Sequence, residues 1–478
     1  MAQVYSLGGP GIVFDPSRAI RQRVEADEGR RQKAMQRAWL YYDGYMPSQV
    51  RVKPGDYDDN VRLEYPRLIV DVGLSFLFGS KLTFTPENAA DAPVIDDTWG
   101  DADARMTLLT RLGLNGAVTG HAYIKLVPDS LGAVRLVVLD SGNVDVNWEP
   151  EDFTKVQSYT VDWIAFDALI NKEVCYQQNI QAQYDETGAI VNWLVTDSRS
   201  IGDSHYVVVN EEVWDYPFPP IADCQNLPTA NEYYGAPELS DTSLDVCDRI
   251  NMAATNIQKI LRYHAHPKVF IYGYSGGEID LSVDTAVNFP STDTSVGILG
   301  MPTDLGAAFN MMDRLTDTLL LLSRTPRAAL GDPAMAAAAM SGLALKLGFM
   351  PLVDKTSTKR NLYGELLAEV NRRVLVLTGQ TDPAPVVTNW PSITPDDPMA
   401  DAQTALLQQQ AGASKETTLA TMGFDPQNEL GKAQVENQAA MDAMQQSLAS
   451  GSLLNQDTGS AQNSQAAMSS RSQKMTGQ

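Results

Sequence analysis

Two segments decide the fold of this chain: PELSDTSLDVCDRINMAATNIQKILRYHAHP at residues 237–267 and TDLGAAFNMMDRLTDTLLLLSRTP at residues 303–326. In each, apolar side chains recur at steps of three and four, which places them on one face of a helix. The first segment opens with a proline, which the first turn of a helix tolerates, and it ends before Pro267, which disfavours helical backbone in the preceding residue. The spacing predicts amphipathic helices over 236–266 and 303–324.

A short segment at 267–302 separates the two predicted helices. Lys268 to Tyr272 has the composition of a strand, and Gly and Pro residues punctuate the remainder. Because so small a module buries little core by itself, we expect it to pack against other copies of the same chain.

The Ala/Met run from Ala334 to Met340 allows two interpretations. Alanine is the strongest helix former, so the run could be the first turns of the next helix. It could instead be an uncharged, pliable loop, since Gly331 to Pro333 precede it and Ser341-Gly342 follow it. Pro351 follows, and because a proline inside a helix removes a hydrogen bond, we expect a kink in a helix that spans it.

The first 235 residues have a mixed pattern. Helices are predicted at 16–43 and 105–119, and the strand-like runs that follow lie at 122–127, 134–139, 144–148, 156–163, 173–180, 190–195 and 205–209. Successive strands without helices between them indicate an antiparallel meander, so the fold class is α+β.

Composition narrows the class of protein. The 478 residues are 44% hydrophobic and carry a net charge of -23, with a sequence pI of about 4.5. No apolar run is long enough for a membrane span, and the N-terminal residues lack a secretory-signal pattern, so we expect neither. Cys175, Cys224 and Cys247 have no metal-like spacing, and we interpret them as reduced thiols.

Enzyme motifs are not found in the sequence. It has no Gly-rich phosphate loop, HExxH, CxxC or Gly-x-Ser-x-Gly elbow. His264 and His266 fall on different faces of a helix, which argues against shared metal ligation. Asp56, Asp58, Asp59 and Asn60 could hold a hard cation, although a solvated acidic loop is the favoured interpretation. We therefore expect no catalytic residue, no cofactor and no metal.

A series of short motifs runs along almost the whole chain. They are Tyr41-Tyr42-Asp43-Gly44, Asn60, Arg67 to Asp71, Phe78 to Leu82, Gly116 to Lys125, Tyr234 to Leu239, Ser341-Gly342 with Ala344 and Lys346, and Trp390 with Pro395-Asp396-Asp397. In this order and spacing the chain resembles the portal proteins of tailed bacteriophages, of the siphophage type.

The resemblance implies an architecture of wing, stem, clip, tunnel loop and crown assembled as a ring. Its segments are 1–235 for the wing, rejoined by 381–398, 236–266 and 303–324 for the stem, 267–302 for the clip, 325–341 for the tunnel loop, 342–380 for the long kinked helix and 399–448 for a helical crown. Residues 449–478 contain no aromatic and few charged side chains, so we expect them to be disordered.

The resemblance also implies a role and partners. A portal is a non-enzymatic homo-oligomeric ring, of twelve subunits in the family, at one capsid vertex of the virion, made in the host cytoplasm. Double-stranded DNA passes through it, the large terminase subunit docks on the clip, neck or adaptor proteins follow, and major capsid and scaffolding proteins surround it. The alternatives are another head or adaptor structural protein and, less favoured, a hydrolase with a carboxylate pair.

Candidate site residues follow from these segments. The DNA-facing tunnel loop would comprise Arg327, Ala334, Met335, Ala336, Ala337, Ala338, Ala339 and Met340. The tunnel-lining candidates of the stem are Asp241, Asp245, Asn256, Lys259, Arg262, Asp313 and Asp317. The clip candidates for docking are Lys268, Tyr272, Tyr274, Glu278, Asp280 and Asp284. Arg324 and Arg327 could touch phosphates, but ion pairs with Asp residues of a neighbouring subunit are favoured.

The net charge of -23 opposes tight DNA binding, because proteins that hold DNA neutralise its phosphates with Lys and Arg. An acidic channel wall would repel the duplex and let it slide. The same charge could simply keep a large assembly soluble. Both interpretations stay open on the sequence.

Overall fold

The computed structural model describes most of the chain up to residue 393. The described residues are 16–55, 57–130, 132–149, 151–168, 171–200, 205–230, 232–265, 268–273, 295–299, 305–331 and 342–393, with isolated positions between 407 and 441. The chain divides after Thr394 into two units. The elements named below belong to the first unit.

Helices and strands alternate in blocks along the chain. The helices are α1 (Pro16–Tyr42), α2 (Tyr65–Phe78), α3 (Ala92–Trp99), α4 (Ala102–Thr119), α5 (Asp241–Ala265), α6 (Gly306–Leu322) and α7 (Gly342–Leu377). The strands are β1 (Thr83–Pro86), β2 (His121–Pro128), β3 (Val134–Leu139), β4 (Val144–Glu149), β5 (Asp152–Asp167), β6 (Lys172–Tyr184), β7 (Ile190–Ser200), β8 (Val207–Trp214), β9 (Ile221–Gln225), β10 (Lys268–Tyr272), β11 (Ser295–Leu299) and β12 (Val386–Asn389).

The sheets of the described residues are antiparallel. A five-stranded meander runs β4-β5-β6-β7-β8, a three-stranded sheet has the order β3-β2-β9, and β1 pairs with β12 and β10 with β11 in two-stranded sheets. The predicted α+β class and the antiparallel meander are confirmed.

The main core lies where α2, α3, α4 and α7 cover the three-stranded sheet. Two glycines in α4 allow the close approach: a Cβ at Gly113 would lie 2.8 Å from a ring carbon of Phe78, and one at Gly116 would lie 2.1 Å from the Tyr363 hydroxyl. Helix α4 then ends at Gly120, whose φ of +93° is a left-handed conformation that glycine adopts without strain.

Helix α5 begins later than its periodicity predicts. It starts at Asp241 and not at Pro237, because the preceding residues are held by long-range contacts: the Glu238 amide donates to the Ala117 carbonyl over 2.8 Å. Ser240 then occupies the N-cap position, with its Oγ accepting from the Ser243 amide at 3.3 Å. Helix α6 begins at Gly306.

The structure confirms the predicted clip strand and leaves the predicted kink untested. The strand predicted at Lys268 to Tyr272 is confirmed, and its partner is the strand Ser295–Leu299. The segment 381–398, expected to rejoin the first 235 residues, contains the strand Val386–Asn389, which pairs with Thr83–Pro86, a strand that the sequence analysis missed. Pro351 lies inside α7, and the kink there stays a prediction.

The second unit is described only at isolated positions. Those in helical conformation are Leu407, Gln408, Gln410, Gly431, Lys432, Gln438 and Met441. Most of the predicted crown and the whole 449–478 segment lie outside the described residues. Across the part of the chain that is described, no helix is both long and apolar enough to cross a membrane.

Candidate functional site

The two predicted stem helices pack against each other in antiparallel directions. Leu244, Cys247 and Ile250 in the N-terminal half of α5 share one buried cluster with Leu319 and Leu320 in the C-terminal half of α6. Residues of α1, α2 and α4 complete that cluster, so the base of the helix pair is fixed to the rest of the unit.

One arginine on α1 forms ion pairs with three acidic side chains at the start of α5. Arg37 lies 2.6 Å from a carboxylate oxygen of Asp245, 3.3 Å from Asp248 and 3.6 Å from Asp241. The Tyr41 hydroxyl donates to Asp248 at 2.6 Å; burial, reinforced by this hydrogen bond, raises the pKa of Tyr41 to about 12. Three carboxylates therefore share one guanidinium, which leaves this face of α5 acidic.

The loop before α2 holds the second half of α5. Asp59 forms two ion pairs: one carboxylate oxygen lies 2.7 Å from a guanidinium nitrogen of Arg262, and the other lies 3.6 Å from the Nζ of Lys259. Side chains of Asn251 and Thr255 accept hydrogen bonds from backbone amides of the same loop, each at 2.9 Å. Four contacts along one strip of loop thus fix the rotation of α5 about its own axis.

A buried ion cluster joins the stem to the long helix. Glu238, just ahead of α5, accepts from the Nζ of Lys355 and of Lys359, both at 2.6 Å, and all three side chains are 3% exposed or less. Lys355 also donates to the Ser323 carbonyl at the end of α6, at 2.8 Å. The cluster therefore connects α5, α6 and α7 at one point, which we call the Glu238 cluster.

Electrostatics in the Glu238 cluster favour the charged carboxylate. Burial alone raises the pKa of Glu238, but attraction to Lys359 and Lys355, with their hydrogen bonds, outweighs it and lowers the pKa to about 2. Since two ammonium groups share one carboxylate, burial still lowers the pKa of Lys355. Two lysines and one carboxylate therefore share this buried site.

A second, partly buried carboxylate joins the three-stranded and five-stranded sheets. Asp223 on β9 accepts hydrogen bonds from His121 at 2.9 Å, Tyr159 at 2.9 Å and Tyr233 at 2.8 Å. Burial raises its pKa, and these donors, His121 foremost, outweigh burial and lower it. The side chain of Asp223 therefore fastens the three-stranded sheet to the five-stranded one.

The stem candidates named from the sequence are mostly bound within the same chain. Asp241 and Asp245 contact Arg37, Lys259 and Arg262 contact Asp59, and Asp317 accepts from Arg327 at 2.7 Å. Asn256 and Asp313 are exposed. Arg327 thus has an Asp partner as the sequence suggested, but the partner lies in its own subunit. Whether any of the seven stem residues faces a tunnel stays a prediction.

The loop and clip candidates lie largely beyond the described residues. Tyr272 is exposed at the end of β10, and Lys268 begins that strand. The candidates outside the described residues are Ala334, Met335, Ala336, Ala337, Ala338, Ala339, Met340, Tyr274, Glu278, Asp280 and Asp284.

The acidic loop at 57–60 is engaged with protein cations. Asp58 accepts from Arg62 at 2.6 Å and from the Asn60 side chain at 2.6 Å, and these donors lower its pKa. Among the residues that the structure describes, no group of His, Cys, Asp and Glu is arranged to hold a metal.

Sequence reasoning missed the Glu238 cluster, although a signal was present. Lys355 and Lys359 stand four residues apart on the apolar stripe of α7, together with buried Leu352, Tyr363 and Leu366. Two lysines on a buried helical face imply a buried anion between them.

Comparison with known proteins identifies one family. The family model "Phage portal protein, SPP1 Gp6-like" matches residues 24–443. No curated protein sequence matches this chain.

Solved structures with similar folds come from gene transfer agent particles. A chain in the neck of an empty particle computed with C6 symmetry has a TM-score of 0.44 and 14% identity, covering 75% of this chain and 90% of that one. A chain in the native virion has a TM-score of 0.40 and 14% identity, and the match covers 75% of this chain and 89% of that one. A chain in the native neck computed with C12 symmetry has a TM-score of 0.40 and 13% identity, and the match covers 75% of this chain and 89% of that one.

Proposed function

The chain belongs to the SPP1 Gp6-like family of phage portal proteins, and from that premise we propose that it assembles into a ring whose axial channel conducts double-stranded DNA. The ring stands at the unique capsid vertex of the virion. There it is the head-to-tail connector, and its role is structural.

One observation carries this proposal: the paired stem helices leave large apolar side chains uncovered. On α6, Leu321 is 79% exposed, Met311 54% and Phe309 43%. On α5, Leu261 is 49% exposed and Met252 41%. Isolated soluble subunits rarely expose so much apolar surface on one pair of helices, and packing against identical neighbours would cover it.

The negative charge of the chain supports a channel that does not bind DNA tightly. Each phosphate contact made by Lys or Arg strengthens DNA binding through counterion release, so a wall that must let a duplex slide is better acidic. The chain carries a net charge of -23. Asp241, Asp245, Asn256, Lys259, Arg262, Asp313 and Asp317 are the stem candidates for the wall.

The remaining partners follow from the portal role. The β10–β11 hairpin and its connecting residues would form the clip, on which the large terminase subunit docks during packaging and neck or adaptor proteins dock afterwards. ATP hydrolysis would come from the motor, since the chain has no phosphate-loop motif. Capsid and scaffolding proteins would surround the wing.

Imaging of the purified protein by negative stain, with native mass measurement, tests the proposal. We expect closed rings, twelve subunits by the family resemblance, with a through-channel wide enough for a duplex. A compact monomer at all concentrations, or a closed particle without an opening, would refute it.

Substitutions in the clip test the docking role separately. Replacing the exposed Tyr272 with Ala together with changes at 274–284 should leave rings intact and abolish binding of the packaging motor. The control is Tyr57→Ala, which removes a tyrosine that is 89% exposed, against 75% for Tyr272, and lies outside the clip. Loss of rings in the clip variant would show that this segment belongs to the subunit interface.

A further inference from the structure

The outward face of α6 carries two neighbouring charges without partners. Asp313 and Arg314 are exposed, and neither side chain has an ion pair or a side-chain hydrogen bond within the described residues. At helical spacing, exposed Leu321 projects in nearly the same direction as Arg314, about two turns further along the helix. We call Phe309, Asp313, Arg314 and Leu321 the α6 stripe.

Helix α5 presents a shallow groove whose charged side chains could pair with those of the α6 stripe. The groove has a volume of about 260 Å³ and is lined by Gln49, Asp245, Asp248, Arg249 and Met252. Arg249 is exposed and has no partner among the residues described, and the Asp245 side chain remains 60% exposed beside Arg37. An acidic pair, one cation and an exposed methionine thus line one surface, which we call the α5 groove.

The α6 stripe and the α5 groove lie at the same level of the helix pair. Because the N-terminal half of α5 packs against the C-terminal half of α6, the groove at 245–252 runs alongside 312–320. A rotation about an axis parallel to the helices leaves that level unchanged, so in such a ring the α6 stripe of one copy lies at the same height as the α5 groove of its neighbour.

We propose that the α6 stripe of one subunit docks in the α5 groove of the next, with Arg314 against Asp245 and Asp248, and Asp313 against Arg249. The two contacts are complementary, and like charges would meet if the groove were filled in the reverse order. Phe309, one turn before Asp313, then covers Met252, one turn after Arg249. The proposal rests on the ring assembly above, and it assigns Asp245 and Asp313 to the seam between subunits instead of the tunnel wall.

Charge reversal in two separate proteins tests the contact. Arg314→Glu places an acid against the acidic groove, and Asp245→Arg places a base against Arg314, so each protein alone should assemble at least about tenfold less readily than the wild type. In an equimolar mixture every alternating interface regains an opposite pair. Rings should therefore return in the mixture, with the two variants alternating.

Sedimentation velocity and native mass measurement at matched concentrations give the readout. Restoration in the mixture cannot come from a misfolded subunit or from an ion pair within one chain. Arg135→Glu makes the same charge change at an exposed site on β3 and should assemble like the wild type. Because Asp245→Arg also loses the contact with Arg37, the second pair, Asp313→Arg mixed with Arg249→Glu, repeats the test without touching that arginine.

Two results would overturn the proposal: assembly of the single variants at the wild-type level, or mixtures that stay as dissociated as their components. Wild-type protein that forms rings while the variants behave in this way would overturn the contact and leave the portal assignment standing. Wild-type protein that forms no ring would remove both.

Discussion

Replacing Glu238 with Gln should destabilise this protein strongly. The substitution keeps the size of the side chain and one acceptor oxygen, and it removes the only carboxylate that Lys355 and Lys359 contact within 2.6 Å in the described structure. Two buried ammonium groups would then face each other across a neutral amide.

The structure gives the size of the effect in two ways. Lowering of the Glu238 pKa from 4.5 to about 2 corresponds to about 3 kcal/mol, since one pKa unit is about 1.4 kcal/mol. Removing one partner of a buried ion pair costs about 3–5 kcal/mol because the other charge is left unpaired. We therefore expect Glu238→Gln to lower the free energy of unfolding by about 3 kcal/mol.

Urea unfolding followed by circular dichroism, at pH 7 and fixed protein concentration, measures the change. Glu232→Gln is the matched control, because it removes an exposed carboxylate from the same segment and should shift the free energy by less than about 0.5 kcal/mol. The triple variant Glu238→Leu, Lys355→Met, Lys359→Met should recover most of the loss. A Glu238→Gln protein as stable as the control would show that the cluster contributes little.

The pH dependence provides a second check on the same residue. A carboxyl with a lowered pKa in the folded state stabilises the fold above its unfolded pKa of 4.5, and this stabilisation is lost as the pH falls towards 2. The difference between wild type and Glu238→Gln should be constant above about pH 5 and shrink as the pH falls to 2. A difference that does not change with pH over that range would contradict the reasoning.

Three further predictions concern the rest of the fold. Gly120→Ala should lower the free energy of unfolding by more than about 2 kcal/mol, because φ is +93° and a Cβ would lie 2.3 Å from a backbone carbonyl oxygen. Gly188→Ala is the control: its φ is +81° but the space around it is open, so its loss should be about 1 kcal/mol. Equal losses of stability in thermal unfolding would exclude the clash. Asp223→Asn should lower the free energy of unfolding by about 2 kcal/mol, since three donors lose a partly buried charged acceptor, and an unchanged urea midpoint would refute this. Burial raises the pKa of Cys247 to about 12, so at pH 8 iodoacetamide should label Cys175 in the folded protein well before Cys247, as mass spectrometry of the digested protein would show.

Local patterns in the sequence were enough for the elements themselves. Steps of three and four along 241–265 and 306–322 placed both stem helices, and alternation and turn residues placed the meander and the strand at Lys268. These features depend on residues within a few positions of one another, so spacing alone reports them. The order of short motifs also led to the portal family, which the match over 24–443 confirms.

Only the tertiary structure decided where the charges go. Asp245 was a candidate for the tunnel wall, yet it contacts Arg37 from far along the chain, and Lys259 contacts Asp59. The start of α5 moved to Asp241 because Glu238 is held by α4 and α7. Such contacts join residues more than a hundred positions apart, and periodicity along one helix carries no information about the partner that packing brings to its surface.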